Sequence, residues 1–189
     1  MKTIMKISKT GTLLMAIFFL AIGCSSDDGN ETAVDPRAVF VGEYETEDYD
    51  LSFSVLGTSQ DTTIVAKGGV DIEISLVEND KEEIQIEGLD EFLKAGFQDV
   101  VIALGSMQNV AVTTDPEAIA KVGGDEFDLG ETVFTLTASD NNGSQSAPVS
   151  LSGQGDLDGN SLLFKFEYSY SASGQTVILS GEVEMEKEE

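Results

Sequence analysis

The chain has no histidine and no tryptophan, one cysteine, three prolines, and ten basic residues against 35 acidic ones in 189 positions. Each shortage closes off a class of chemistry. Without histidine there is no imidazole metal ligand and no histidine general base, and a single cysteine excludes an intramolecular disulfide and any cysteine-rich metal site. The scarcity of Lys and Arg leaves a formal charge of -25, which repels nucleic acid and anionic headgroups and leaves cations and basic proteins as charged partners. Long apolar runs are also missing. The longest, residues 13–22, is about half of what a spanning helix needs. No motif implies a cofactor.

What is present begins with an address. Lys2, Lys6 and Lys9 precede the apolar run, and small Gly23 follows it, the three-part layout of a secretory signal peptide. The segment LAIGC, ending at Cys24, resembles a bacterial lipobox. That resemblance implies diacylglycerol transfer to the Cys24 thiol and cleavage before it; the alternative is an incidental thiol. Residues 1–23 are then a lipoprotein signal peptide, 24–36 a lipidated acidic tether, and 37–189 the folded domain. A chain starting at Cys24 keeps 7 basic and 35 acidic residues, a formal -28. Each buried acyl methylene contributes about 0.8 kcal/mol, so two or three long chains tether a soluble domain to a membrane. Ser25, Ser26, Asp27 and Asp28 resemble the acidic export signal of surface lipoproteins in Bacteroidota, against the simpler reading of an acidic linker. The expected location is the outer membrane through the lipid anchor, with exposure on the cell surface if the export signal operates.

From Val39 onward apolar and polar residues alternate with period two, interrupted by turn residues every 8 to 15 positions. Leu51, Phe53 and Val55 form one apolar face, Val70, Ile72, Ile74 and Leu76 another, and Ile84 and Ile86 continue after the turn ENDK. Residues 149–157 are expected to pair with 162–170 across a type I′ turn at Asp158 and Gly159, and the latter strand with one running from Val177 to Met185. Two segments break the alternation and predict short helices in loops: residues 88–96, with Asp90 as N-cap and Gly96 as stop, and the segment after Asp115 and Pro116. A hairpin is expected between them, from residues 100–104 and 110–113. Eight to ten antiparallel strands on short turns must deal with their edges, and closure does so most completely. The predicted fold is all-β, an up-and-down antiparallel barrel with one or two short helices in loops.

The segment DPRAVFVGEYE sets Gly42 and Tyr44 at the spacing of a Gly-x-Trp motif, and GQGDLDGNSLLFKFEYSYSASGQ and GEVEMEK follow as hairpin signatures. Together they make residues from about 35 to 187 resemble lipocalin-like (calycin-like) lipoproteins of Bacteroidota, with Tyr44 in place of the tryptophan. The resemblance implies a lipocalin-like barrel and a late-strand basic residue packed over Tyr44, for which Lys165 and Lys187 are the candidates. Tyr44 then closes one end of the barrel; otherwise it is an ordinary cross-strand aromatic.

Leu162, Phe164, Phe166, Tyr168 and Tyr170 share one face of a strand. Inside a barrel this face, with Tyr44, is the candidate lining of a cavity for a small apolar ligand, with Tyr168 and Tyr170 supplying polar groups at the mouth; the alternative is a filled core. GDLDGN places Asp156, Asp158 and Asn160 like the start of a calcium loop, but Ser161 stands where such a loop needs glycine, so it reads as a turn and no metal site is predicted. EYETEDYD reads as a solvated acidic face and SDNNGSQS as a turn. No carboxylate pair is singled out by spacing and no nucleophile is activated, so an enzyme is not expected. Three readings remain: a carrier of a small hydrophobic ligand, an acidic interaction protein or inhibitor binding a basic partner protein, and, third, a carboxylate hydrolase.

Overall fold

The computed structural model describes residues 35–55, 61–104, 109–113, 117–140, 143–172 and 175–188. Cys24, the signal peptide and most of the tether, with Asp115 and Pro116, lie outside them. A 3-10 turn, Pro36–Val39, is followed by β1 (Gly42–Thr46), β2 (Tyr49–Val55), β3 (Asp61–Ala66), β4 (Asp71–Leu76), β5 (Glu83–Glu87), α1 (Leu89–Leu104), β6 (Asn109–Thr113), β7 (Ala118–Gly123), β8 (Glu126–Asp140), β9 (Gly143–Asp158), β10 (Ser161–Ala172) and β11 (Gln175–Lys187).

Every pairing is antiparallel, and eight strands close a ring in the order β1-β4-β5-β7-β8-β9-β10-β11, completed by β11 against β1. β2, β3 and β6 extend the wall beyond one rim. β1 and β2 are successive halves of one course along β11, through Tyr44↔Lys187 and then Leu51↔Gly181 to Val55↔Val177. β6 and β7 are likewise two halves of a course along β8. The path is therefore a meander, as the period-two pattern predicts.

Its third course is cut short. β5 ends at Glu87, and Gly88 turns the chain with φ +88 where an added Cβ would lie 2.3 Å from the Asp71 carbonyl oxygen, so no other residue fits without a shift. α1 then takes the place of the missing half-strand. Among the described residues β3 pairs only with β2 and β6 only with β8, and α1 covers the edges between them. The Asp99 carboxylate accepts from the Lys67 N–H at 2.9 Å, and the Gln98 side chain from the Val110 N–H at 3.2 Å.

Three local expectations are corrected. α1 continues through Gly96 to Leu104, so residues 100–104 are helix and not a hairpin strand. The glycine serves close approach, not termination, because an added Cβ would lie 3.0 Å from the Tyr49 hydroxyl. The second helix is absent from residues 118–123, which form β7: Ala118 and Ala120 are buried opposite Ile86 and Ile84, and pairing overrides alanine's helix propensity. The β9–β10 turn centres on Gly159 and Asn160, with positive φ at Gly159 alone, the type II′ pattern.

Inward positions form one apolar core, including Leu51, Ile72, Ile84, Leu129, Leu151, Phe164, Leu179 and Val183. Outward positions are mostly polar, with serine, threonine and acids predominating, and the acids include Glu43, Glu45, Asp71 and Glu73. This is the reverse of a membrane-spanning barrel, whose outer wall is an apolar band. Among the described residues no helix is long and apolar enough to cross a membrane.

Candidate functional site

The face predicted on β10 is inside the barrel. Phe164, Phe166 and Tyr168 are buried and stack along the strand, with ring centroids 5.9 Å and 4.9 Å apart, while Tyr170 is half-buried near the upper rim. α1 lies against them. Its buried positions, Leu89, Phe92, Leu93, Gly96, Phe97 and Val100, follow the i, i+3, i+4, i+7 spacing of an amphipathic helix. Phe92 meets Phe166 edge-on at 5.0 Å, and Phe97 sits 5.8 Å from Tyr168 and 5.5 Å from Tyr170. Below this contact an interior void of about 10 Å³, bordered by Ile72, Leu89, Phe127 and Phe164, has room for one water at most. Among the described residues the inward aromatic side chains pack against one another and against α1.

The packing leaves two polar atoms unmatched. Among the described residues, the hydroxyls of Tyr168, wholly buried, and Tyr49, 4% exposed, have no hydrogen-bond partner. At Gly96 of α1 an added Cβ would lie 3.0 Å from Tyr49 Oη and 3.9 Å from Cε2 of the Tyr168 ring. Burial pushes both phenols above their ordinary range, Asp99 adding to the effect at Tyr49 and Tyr49 at Tyr168. Neither is a base or nucleophile near neutral pH; each can donate or accept a hydrogen bond.

Tyr44 belongs to the opposite end. Its hydroxyl donates to the Phe40 carbonyl at 2.8 Å, and Lys187 Nζ lies 5.6 Å from its ring centroid. Of the two candidates for the basic residue over Tyr44, Lys187 fills the place and Lys165 faces outward opposite Glu182. Burial raises the Tyr44 hydroxyl to about 12. Arg37, unmarked by any pattern in the sequence, fastens the same end: its guanidinium donates to Asp35 Oδ1 and Oδ2 at 2.9 and 2.6 Å and to the carbonyls of Val77, Asp80 and Glu83. Hydrogen bonds from Arg37 hold the Asp35 carboxyl at about 2.

The outer wall of the ring carries a second feature. Glu43 stands opposite Glu73, and Glu73 opposite Glu87; one step along, Glu45 stands opposite both Asp71 and Glu186. Like charges directly opposed across strands are destabilising. Glu188, hydrogen-bonded through its N–H to the Glu43 carbonyl, joins the first row. A groove of about 350 Å³ runs there between Glu43, Asp71, Glu73, Glu87 and Glu188, and among the described residues no basic one borders it. Around the wall, a wider groove of about 860 Å³ holds Glu47, Asp48, Asp50, Glu182 and Glu184 beside Lys165. Among the described residues no group of three or more acids is gathered closely enough to hold a metal ion. The array is a diffuse negative face.

Sequence reasoning placed Tyr44 and the β10 aromatics inside a barrel and missed Tyr49, Phe92, Phe97 and Arg37. The helical spacing from Leu89 to Val100 was a usable signal for Phe92 and Phe97, hidden by reading Gly96 as a stop.

No protein-family model matches the chain, and no curated protein matches it. Among solved structures, one from Bacteroides fragilis whose name refers to the outer membrane is 16% identical over 82% of this chain and 53% of its own, with a TM-score of 0.39. The chain spans about half the length of that protein.

Proposed function

We propose that this is a lipid-anchored envelope protein that binds a basic protein partner through the acidic outer wall of its barrel. The carrying observation is the two rows of opposed carboxylates, Glu188–Glu43–Glu73–Glu87 and Glu186–Glu45–Asp71; among the described residues no basic one borders the groove along the first row. Opposing these charges costs stability that a random scatter of acids would avoid, and a cationic surface laid on the wall recovers it. Cys24 supplies the anchor and the acidic tether the reach, placing the barrel at the outer membrane or cell surface; the family reading, a lipocalin-like lipoprotein, belongs to the same proposal. Calorimetry with lysozyme as the basic probe tests the main claim. A saturable one-to-one complex that weakens with added salt supports it; heat that never saturates, or is independent of salt, counts against it.

A second reading, carriage of a small apolar ligand, is favoured by one observation: the upper wall is closed by a helix, joined to its neighbours through side chains such as Gln98 and Asp99, instead of by a strand on a full ladder. Cargo enters on this reading by displacing part of α1.

A further inference from the structure

Three features meet beneath α1. One is a helix standing in for a strand, held to β6 and to the end of β3 by Gln98 and Asp99. The second is Gly96 in the middle of that helix, where glycine is the least favourable residue after proline and where an added Cβ would lie 3.0 Å from the Tyr49 hydroxyl. The third is the pair of hydroxyls itself. Buried hydroxyls without partners are uncommon because each forfeits its hydrogen bonds to water, and phenylalanine would fill either site without that loss. Packing therefore accounts for the two rings and leaves the two oxygens unexplained.

We infer that Tyr49 and Tyr168 are the polar anchors of a binding site beneath α1 for an uncharged, largely apolar molecule bearing a carbonyl oxygen. The inference rests on the carriage reading. A carbonyl oxygen accepts two hydrogen bonds, and two phenols can donate one each. Phe164, Phe166 and Leu51 supply the apolar wall, and the rings of Phe92 and Phe97 occupy the space that the ligand takes when the helix shifts. A carboxylate is selected against, since it would be buried as a charge near Asp99 in a chain of formal charge -25. The ligand gives both hydroxyls partners and completes a core that the helix alone leaves polar at one point.

Binding of 1-acetylnaphthalene, 1-methylnaphthalene and 1-naphthoate to the full chain in detergent separates the possibilities. The ketone is expected to bind about tenfold tighter than the hydrocarbon, the factor one net hydrogen bond supplies, and the carboxylate weakest. The double variant Tyr49→Phe/Tyr168→Phe is expected to lose the ketone's advantage while keeping the hydrocarbon's affinity. Loosening α1 with Gln98→Ala/Asp99→Ala is expected to tighten binding of both neutral probes. Equal binding of ketone and hydrocarbon, or an advantage that survives in the Phe variant, overturns the anchors but leaves carriage standing. Failure of every probe to bind both the wild type and the loosened variant overturns carriage and the anchors together. Tightest binding by the carboxylate overturns the ligand class.

Discussion

Lys187 and Tyr44 face each other across β11 and β1, and the Lys187 ammonium lies over the Tyr44 ring while donating to the Val39 carbonyl at 3.2 Å. The last strand thus clasps the first and holds the 3-10 turn under the barrel. Lys187→Met is expected to cost about 1 kcal/mol, the scale of a partly exposed cation–π contact with one hydrogen bond. Lys187→Arg should recover most of it, because a guanidinium also stacks on the ring. Denaturant melts of the three proteins check this.

Removing a buried, partnerless hydroxyl should stabilise the protein. Tyr168→Phe is expected to gain about 1 kcal/mol, a rise in Tm of about 3 °C for a chain of this size. A fall in Tm would mean that the hydroxyl has a structural partner.

Gly96 and Tyr49 should be coupled. Gly96→Ala adds about 1 kcal/mol of helix propensity but brings its Cβ to 3.0 Å from Tyr49 Oη, so it is expected to destabilise the wild type. In a Tyr49→Phe background the obstruction is gone and the same substitution should stabilise. A double-mutant cycle reads the change of sign directly.

All four tyrosines of the chain, Tyr44, Tyr49, Tyr168 and Tyr170, are raised by burial, Tyr44 to about 12 from an ordinary 10.0. A folded state that holds these protons more tightly keeps the resulting stability below pH 10 and loses it as pH climbs through the folded values. Tyrosinate absorbance is therefore expected to stay low at pH 10 and then rise steeply together with loss of β-sheet signal. At the acid end the sign reverses. Asp35, held at about 2 by Arg37 against an ordinary 3.8, contributes fully above about pH 4 and loses its contribution between about pH 4 and pH 2. Asp35→Asn should lower the wild-type melting temperature at pH 7 and converge with it near pH 2.

The meander, its closure and the inward face of β10 were legible because strand alternation has period two and one wrong step would invert every side chain. The helix was half legible. Its start at Leu89 follows from the break in alternation, but Gly96 carries the same mark whether it ends a helix or lets one approach a tyrosine, and only the partner on β2 distinguishes them. β7 was misread because Ala118 and Ala120 suit a helix locally and are held as strand by β5 and β8. The rows of opposed carboxylates were invisible for a different reason. Glu43, Glu73 and Glu87 are far apart in sequence, and register alone makes them neighbours.

Glu73 sits between Glu43 and Glu87, so Glu73→Gln should raise Tm by about 2 °C at low ionic strength, an effect that shrinks as salt screens the pair repulsion. Equal shifts at low and high salt would point to packing and not to charge.

The central claim is that the acidic rows, and not net charge, bind the basic partner. The direct measurement compares lysozyme affinity for two double variants of equal formal charge, Glu43→Lys/Glu73→Lys within the rows and Glu131→Lys/Glu167→Lys outside them, both exposed. The account predicts at least a tenfold loss for the first and little change for the second. Equal losses in both would contradict it, reducing the interaction to nonspecific attraction between opposite charges.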